Sequence, residues 1–199
     1  MGHIVIVNTK FLTPRLGALA GLIGSIEFTV FWVLAATADG GWQLGRMTLS
    51  ELGDRTPGGA LLFNSGTVIA GVLAFLFAIG LYRTLSTTPL GRMGSGLLAI
   101  ASVLLIGVGL FPIHTGLPHT FFSYAFFIVA VISLATLVVP IWRSHVFHAS
   151  GGMVSALLLV IGLIGAAGLS TAGAEALAVG CLLLWMGLMS IRMLWHHPV

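Results

Sequence analysis

The charges in this chain are few and almost periodic. Asp, Glu, Lys and Arg make up 7% of its 199 residues. They divide the rest into apolar runs of about 20 residues, the length a helix needs to cross the hydrocarbon of a bilayer. With 58% hydrophobic residues and a mean hydropathy of +1.12, the chain lies far outside the composition of soluble domains. The expectation is an all-α, polytopic membrane protein. Helices are favoured because they satisfy their own backbone polar groups in lipid.

Six transmembrane helices are expected in one membrane domain spanning 1–199. They run at about 15–37, 59–82, 92–111, 118–142, 150–169 and 174–194. Ala36-Thr37-Ala38 has the form of a signal-peptidase site. The stretch before it is longer than a signal h-region and contains Glu27, so the first pass is kept.

Lys10, Arg15, Arg83, Arg92, Arg143 and Arg192 gather on one side of this bundle, and only Arg46 and Arg55 on the other. The bias toward cytoplasmic Lys and Arg then places both termini in the cytoplasm of a multi-pass cell-membrane protein. Asp39, Glu51, Asp54 and Glu175 fall on the outer side, and Glu27 alone lies within a pass. The pI near 9.8 comes from single basic residues at helix ends. It points to membrane lipids as partners and not to nucleic acid. Cys181 is the only cysteine, so no internal disulfide forms.

Gly17, Gly21 and Gly24 share one side of the first pass, and Gly162, Gly165 and Gly168 recur in the fifth. Small residues at helical spacing let helix backbones approach in lipid. They serve a bundle interior and a homo-oligomer face equally. Tyr82-Arg83 with Gly91, Met93 and Ser95 matches Trp142-Arg143 with Gly151, Met153 and Ser155 sixty residues on. That pattern is consistent with a repeated helical hairpin.

Polar residues collect at the outer mouth. The 39–58 segment carries Trp42, Leu44, Met47, Leu49 and Leu52 among polar residues, and Thr48-Leu49-Ser50-Glu51 fits a capping box. A short helix on the membrane surface is expected there, with Trp42 as interfacial anchor. Phe111-Pro112-Ile113-His114-Thr115-Gly116-Leu117-Pro118-His119 joins the third and fourth passes. Pro118 suits a helix start, and Ser123 lies one turn beyond His119 on the same face.

These residues support several chemistries. Trp42, Asp54, Asn64 and Ser65, with the deeper Glu27, are candidates to hold a lipid headgroup or small ligand. Ionisable groups at membrane depth are costly and usually face the protein interior. Glu27 can also serve as polar glue between helices. His114 and His119 are candidate zinc ligands, with Glu51 or Asp54 as a third, because zinc takes three or four N, S or O donors and can activate water. His119 and Ser123 can instead form a base and nucleophile. His145, His148, His196 and His197 lie outside the membrane core and are poorly placed to ligate haem. No phosphate loop, CxxC or HExxH occurs. A ligand-binding module, a metal-assisted lipid hydrolase and a proton-linked transporter using Glu27 are all compatible with this pattern.

One ordered series is more specific. It consists of Ser50-Glu51-Leu52-Gly53-Asp54, Phe63-Asn64-Ser65-Gly66, Gly80-Leu81-Tyr82-Arg83, Gly107-Val108-Gly109-Leu110-Phe111-Pro112, His114-Thr115-Gly116, His119 and Ser123. It resembles the small six-helix membrane proteins grouped as the domain-of-unknown-function family numbered nine hundred and ninety-eight. The resemblance covers the second to fifth passes best. It implies the six-helix topology and a role for Asn64, Pro112 and His119, and no substrate. The family often carries an acid soon after the Phe-Pro, where this chain has His114. A looser similarity to zinc-dependent membrane hydrolases of the ceramidase type lacks their seventh pass and late histidine pair.

Overall fold

A computed structural model describes residues 13–196. Lys10 and His197 lie outside the described residues. Six long apolar helices make up nearly all of it: α1 (Pro14–Asp39), α2 (Pro57–Leu85), α3 (Pro89–Leu110), α4 (Leu117–Arg143), α5 (His148–Gly168) and α6 (Thr171–His196). The shortest has 21 residues, about 30 Å at the usual rise, so each can span a bilayer. The chain is a multi-pass membrane protein.

The first three helices begin by one device. Thr13-Pro14, Thr56-Pro57 and Thr88-Pro89 each place a threonine at the N-cap and a proline in the first turn. The threonine Oγ1 accepts from the backbone N–H of Leu16 at 3.2 Å, Gly59 at 3.2 Å and Gly91 at 3.0 Å. This satisfies one orphan donor of each helix start, and the proline brings no donor of its own.

Each helix packs on its neighbours in sequence, and α6 returns to α1, closing a ring. The α1–α2 pair is the most intimate. A Cβ on Gly17 would come within 2.6 Å of the Gly80 Cα, so the two backbones touch where both residues lack side chains. Toward the end that carries Thr13 and His196, Phe77, Leu81, Leu137, Phe147, Trp185 and Met189 form the main core. Hydroxyls join helices across it. The Trp185 indole N–H donates to Ser155 Oγ at 2.9 Å, and Ser133 Oγ donates to the Gly94 carbonyl at 2.9 Å. The perimeter is as apolar as the interior, with Leu61, Phe121 and Ile164 well exposed, as a surface solvated by lipid requires.

The segment between α1 and α2 caps the opposite end, termed here the far end. The reciprocal capping pair forms: Thr48 N–H donates to Glu51 Oε2 at 2.6 Å, and Glu51 N–H donates to Thr48 Oγ1 at 3.3 Å. A surface helix is expected there from sequence. The structure has a four-residue 3-10 turn, Ser50–Gly53, tucked into the bundle with Leu49 and Leu52 buried. Two apolar residues three apart find more burial in a second small core, with Phe28, Ala35 and Phe63, than at an interface. Trp42 packs on Trp32 with ring centroids 6.0 Å apart, and its indole N–H donates to the Thr48 carbonyl at 2.8 Å. Arg55 Nε, 3.0 Å from both Asp39 carboxylate oxygens, ties the base of the cap to the end of α1.

Candidate functional site

His119 sits in the first turn of α4, 8% exposed. The chain reaches it through a 3-10 turn at Ile113–Thr115 and Gly116, whose φ of 70° suits glycine. Helix α3 stops at Leu110, leaving carbonyls near its end without helical partners. The Phe111 carbonyl is taken up by His119 Nδ1 at 2.8 Å. A carbonyl only accepts, so Nδ1 carries the proton. Nε2 then faces the Ser123 hydroxyl at 3.1 Å as an acceptor in the neutral ring. The imidazole is thus held at both nitrogens, by the end of one helix and the next turn of its own.

Glu175 lies across the mouth in α6. Its Oε1 accepts from Ser50 Oγ at 2.8 Å and from Ser50 N–H at 3.2 Å. It is also within electrostatic reach of His119. The sequence offers Glu175 only as an outer-side charge, with the sixth pass starting near residue 174. The helix starts at Thr171, so Glu175 stands a full turn inside it. An acid one turn into an apolar run, after Ser170 and Thr171, is the signal that points to it.

These groups form the polar end of a cavity of about 570 Å³ between α4, α5 and α6. Ser50, His119, Ser123 and Glu175 line that end, and Phe127, Leu134, Leu158, Leu163 and Cys181 continue the wall in apolar form. Lining residues Tyr124, Val131, Leu163 and Leu169 are also exposed at the perimeter. The cavity therefore opens sideways between α4 and α5, toward the space that lipid occupies. No Lys or Arg is among the described residues lining it.

The other sequence candidates are not brought to this cavity. Glu51 is engaged in the capping pair, and Trp42 holds the cap together. Asn64 Nδ2 donates to the Gly53 carbonyl at 2.9 Å, pinning the 3-10 turn to α2. Ser65 Oγ donates to Leu61 of its own helix. Asp54 Oδ1 pairs with His114 Nδ1 at 2.8 Å, with both side chains exposed. His114 and His119 therefore engage different partners. Among the described residues, no three His, Cys, Asp or Glu side chains gather as a metal-holding group. Glu27 is not among the residues that line the cavity. Both its carboxylate oxygens are buried without a hydrogen-bond partner.

The arrangement can seat an amphiphile, polar end toward the cap and apolar end between helices, and it aligns a hydroxyl with an imidazole. Searches of curated proteins and of solved structures find no match. A family model described as "Protein of unknown function (DUF998)" matches residues 22–192, from the third turn of α1 to within about a turn of the end of α6. That match, over well more than half of the chain, establishes that the chain belongs to the DUF998 family.

Proposed function

We propose that the protein binds a neutral membrane lipid, with an acyl chain between α4, α5 and α6 and a polar head against Ser50, His119, Ser123 and Glu175. The observation that carries this reading is the cavity itself. Its polar groups lie at one end, its remaining wall is apolar, and it opens sideways at membrane depth. Its volume falls in the range of small-ligand sites, about 300–1,000 Å³. The headgroup class follows from the donors and acceptors present. With no Lys or Arg among the described residues of the wall, a phosphate finds no cation there, whereas hydroxyls, a carboxyl group and an imidazole suit an uncharged head bearing hydroxyl or ester groups. In the orientation that puts both termini in the cytoplasm, this site draws from the outer leaflet.

Gly162 provides the test. It lines the cavity, and a Cβ built there meets no atom within 4 Å. A side chain at this position starts into open space, so Gly162→Phe directs its ring into the site. Wild type extracted in mild detergent is expected to carry about one lipid by native mass spectrometry. Gly162→Phe is expected to lose it at least tenfold while unfolding at the same temperature. Equal lipid occupancy in the two proteins would overturn the reading.

A further inference from the structure

Resting on the lipid-binding reading, we propose that Ser123 is a nucleophile activated by His119, and that the site transfers the acyl group of a neutral ester lipid to water. The first support is the tautomer. The Phe111 carbonyl at 2.8 Å fixes the proton on Nδ1 and leaves Nε2 as the base, 3.1 Å from the Ser123 hydroxyl. In a serine triad the third group does the same orienting work. Here a carbonyl from the end of α3 orients the ring.

The second support is a contrast with several other hydroxyls of the bundle. The hydroxyls of Thr67, Ser102, Thr136 and Ser155 each donate to the carbonyl four residues back in their own helix. Ser123 has the same opportunity at residue 119, and its hydroxyl is directed at the imidazole instead. Ser123 also lines the cavity where its polar end meets the apolar wall. A lipid seated with its head at the cap would carry its ester linkage at that level.

In the first step Ser123 Oγ bonds to the ester carbonyl carbon while its proton passes to Nε2 of His119. The carbon–oxygen bond to the alcohol then breaks, and the departing alkoxide takes that proton. A water molecule next gives a proton to Nε2 and attacks the acyl–Ser123 ester. The fatty acid leaves, and the proton returns to Ser123 Oγ. The exposed Thr120 and Thr171 line the same cavity.

The test uses an alkyl fluorophosphonate on the full chain in nanodiscs, added in excess, with peptide mass spectrometry and a parallel count of bound lipid. Wild type is expected to carry the phosphonyl group on Ser123 with loss of fluoride. His119→Gln is expected to slow labelling at least tenfold, and Ser123→Ala to abolish it. Equal labelling rates in wild type and His119→Gln would overturn activation by the imidazole. An unlabelled wild type that holds lipid would overturn the nucleophile and leave binding standing. An unlabelled wild type without lipid would overturn both.

Discussion

Glu175 and Ser50, 125 residues apart in sequence, are joined by two hydrogen bonds to a single carboxylate oxygen, at 2.8 Å from the hydroxyl and 3.2 Å from the backbone N–H. The same glutamate caps the 3-10 turn and lines the cavity. The cap and the cavity wall are thereby one structure. Ser170 Oγ, which donates to the Gly45 carbonyl at 3.3 Å, adds a second tie between the cap and the head of α6.

Removing that carboxylate should loosen the cap. An intramolecular hydrogen bond contributes about 0.5–1.5 kcal/mol, and more where it leaves a buried partner unsatisfied. Glu175→Ala is expected to lower the unfolding temperature and to speed amide exchange across residues 44–54. Glu175→Gln keeps an acceptor and should lose less. Unchanged exchange in Glu175→Ala would show that the cap is held without it.

The α1–α2 contact should tolerate no side chain. A Cβ at Gly17 would meet Gly80 Cα at 2.6 Å and Gly80 N at 2.9 Å, both backbone atoms that no rotamer can move aside. Gly17→Ala is expected to destabilise by about 1–3 kcal/mol, as overpacking does. Gly162→Ala, facing open space, should stay within about 0.5 kcal/mol of wild type. Thermal unfolding of the pair in one detergent checks both, and equal losses would contradict the contact.

Glu27 should be dispensable for folding. Its two carboxylate oxygens are buried without partners, and an unsatisfied buried group costs about 1–3 kcal/mol. Glu27→Met, similar in length and apolar, is expected to raise the unfolding temperature. A fall would mean that the carboxyl is held by a group the bundle supplies in the membrane.

His114→Ala should be nearly silent. The His114–Asp54 pair is short, at 2.8 Å, with both side chains exposed. Exposed pairs contribute about 0–1 kcal/mol and weaken with salt. The expected change in stability is below about 1 kcal/mol at low salt and smaller still in high salt. A loss of several kcal/mol would assign His114 a buried role.

Local features of this site are legible in the sequence. The four-residue spacing of His119 and Ser123 puts them on one helix face, and Thr48 and Glu51 stand at capping-box spacing. The Thr-Pro pairs at 13–14, 56–57 and 88–89 are equally local, and they set helix starts one to three residues earlier than the apolar runs alone indicate. Asn64 reads as a ligand-binding candidate, yet its amide is spent on Gly53. Glu175 reads as an orienting charge, yet it joins the cap to the cavity.

Helix number, helix length and family membership were thus determined by the sequence alone, because they depend on run length, on capping within a few residues and on an ordered series of motifs. The tertiary structure decided the return of α6 onto α1, the sideways opening between α4 and α5, and the meeting of Glu175 with Ser50. The physical reason lies in the solvent. Helices in lipid are apolar toward the bilayer and toward one another, so hydrophobic periodicity marks no inner face. Which side of each helix turns inward is set by where backbones and side chains fit, as at Gly17 against Gly80, and that fit exists only once the helices are packed.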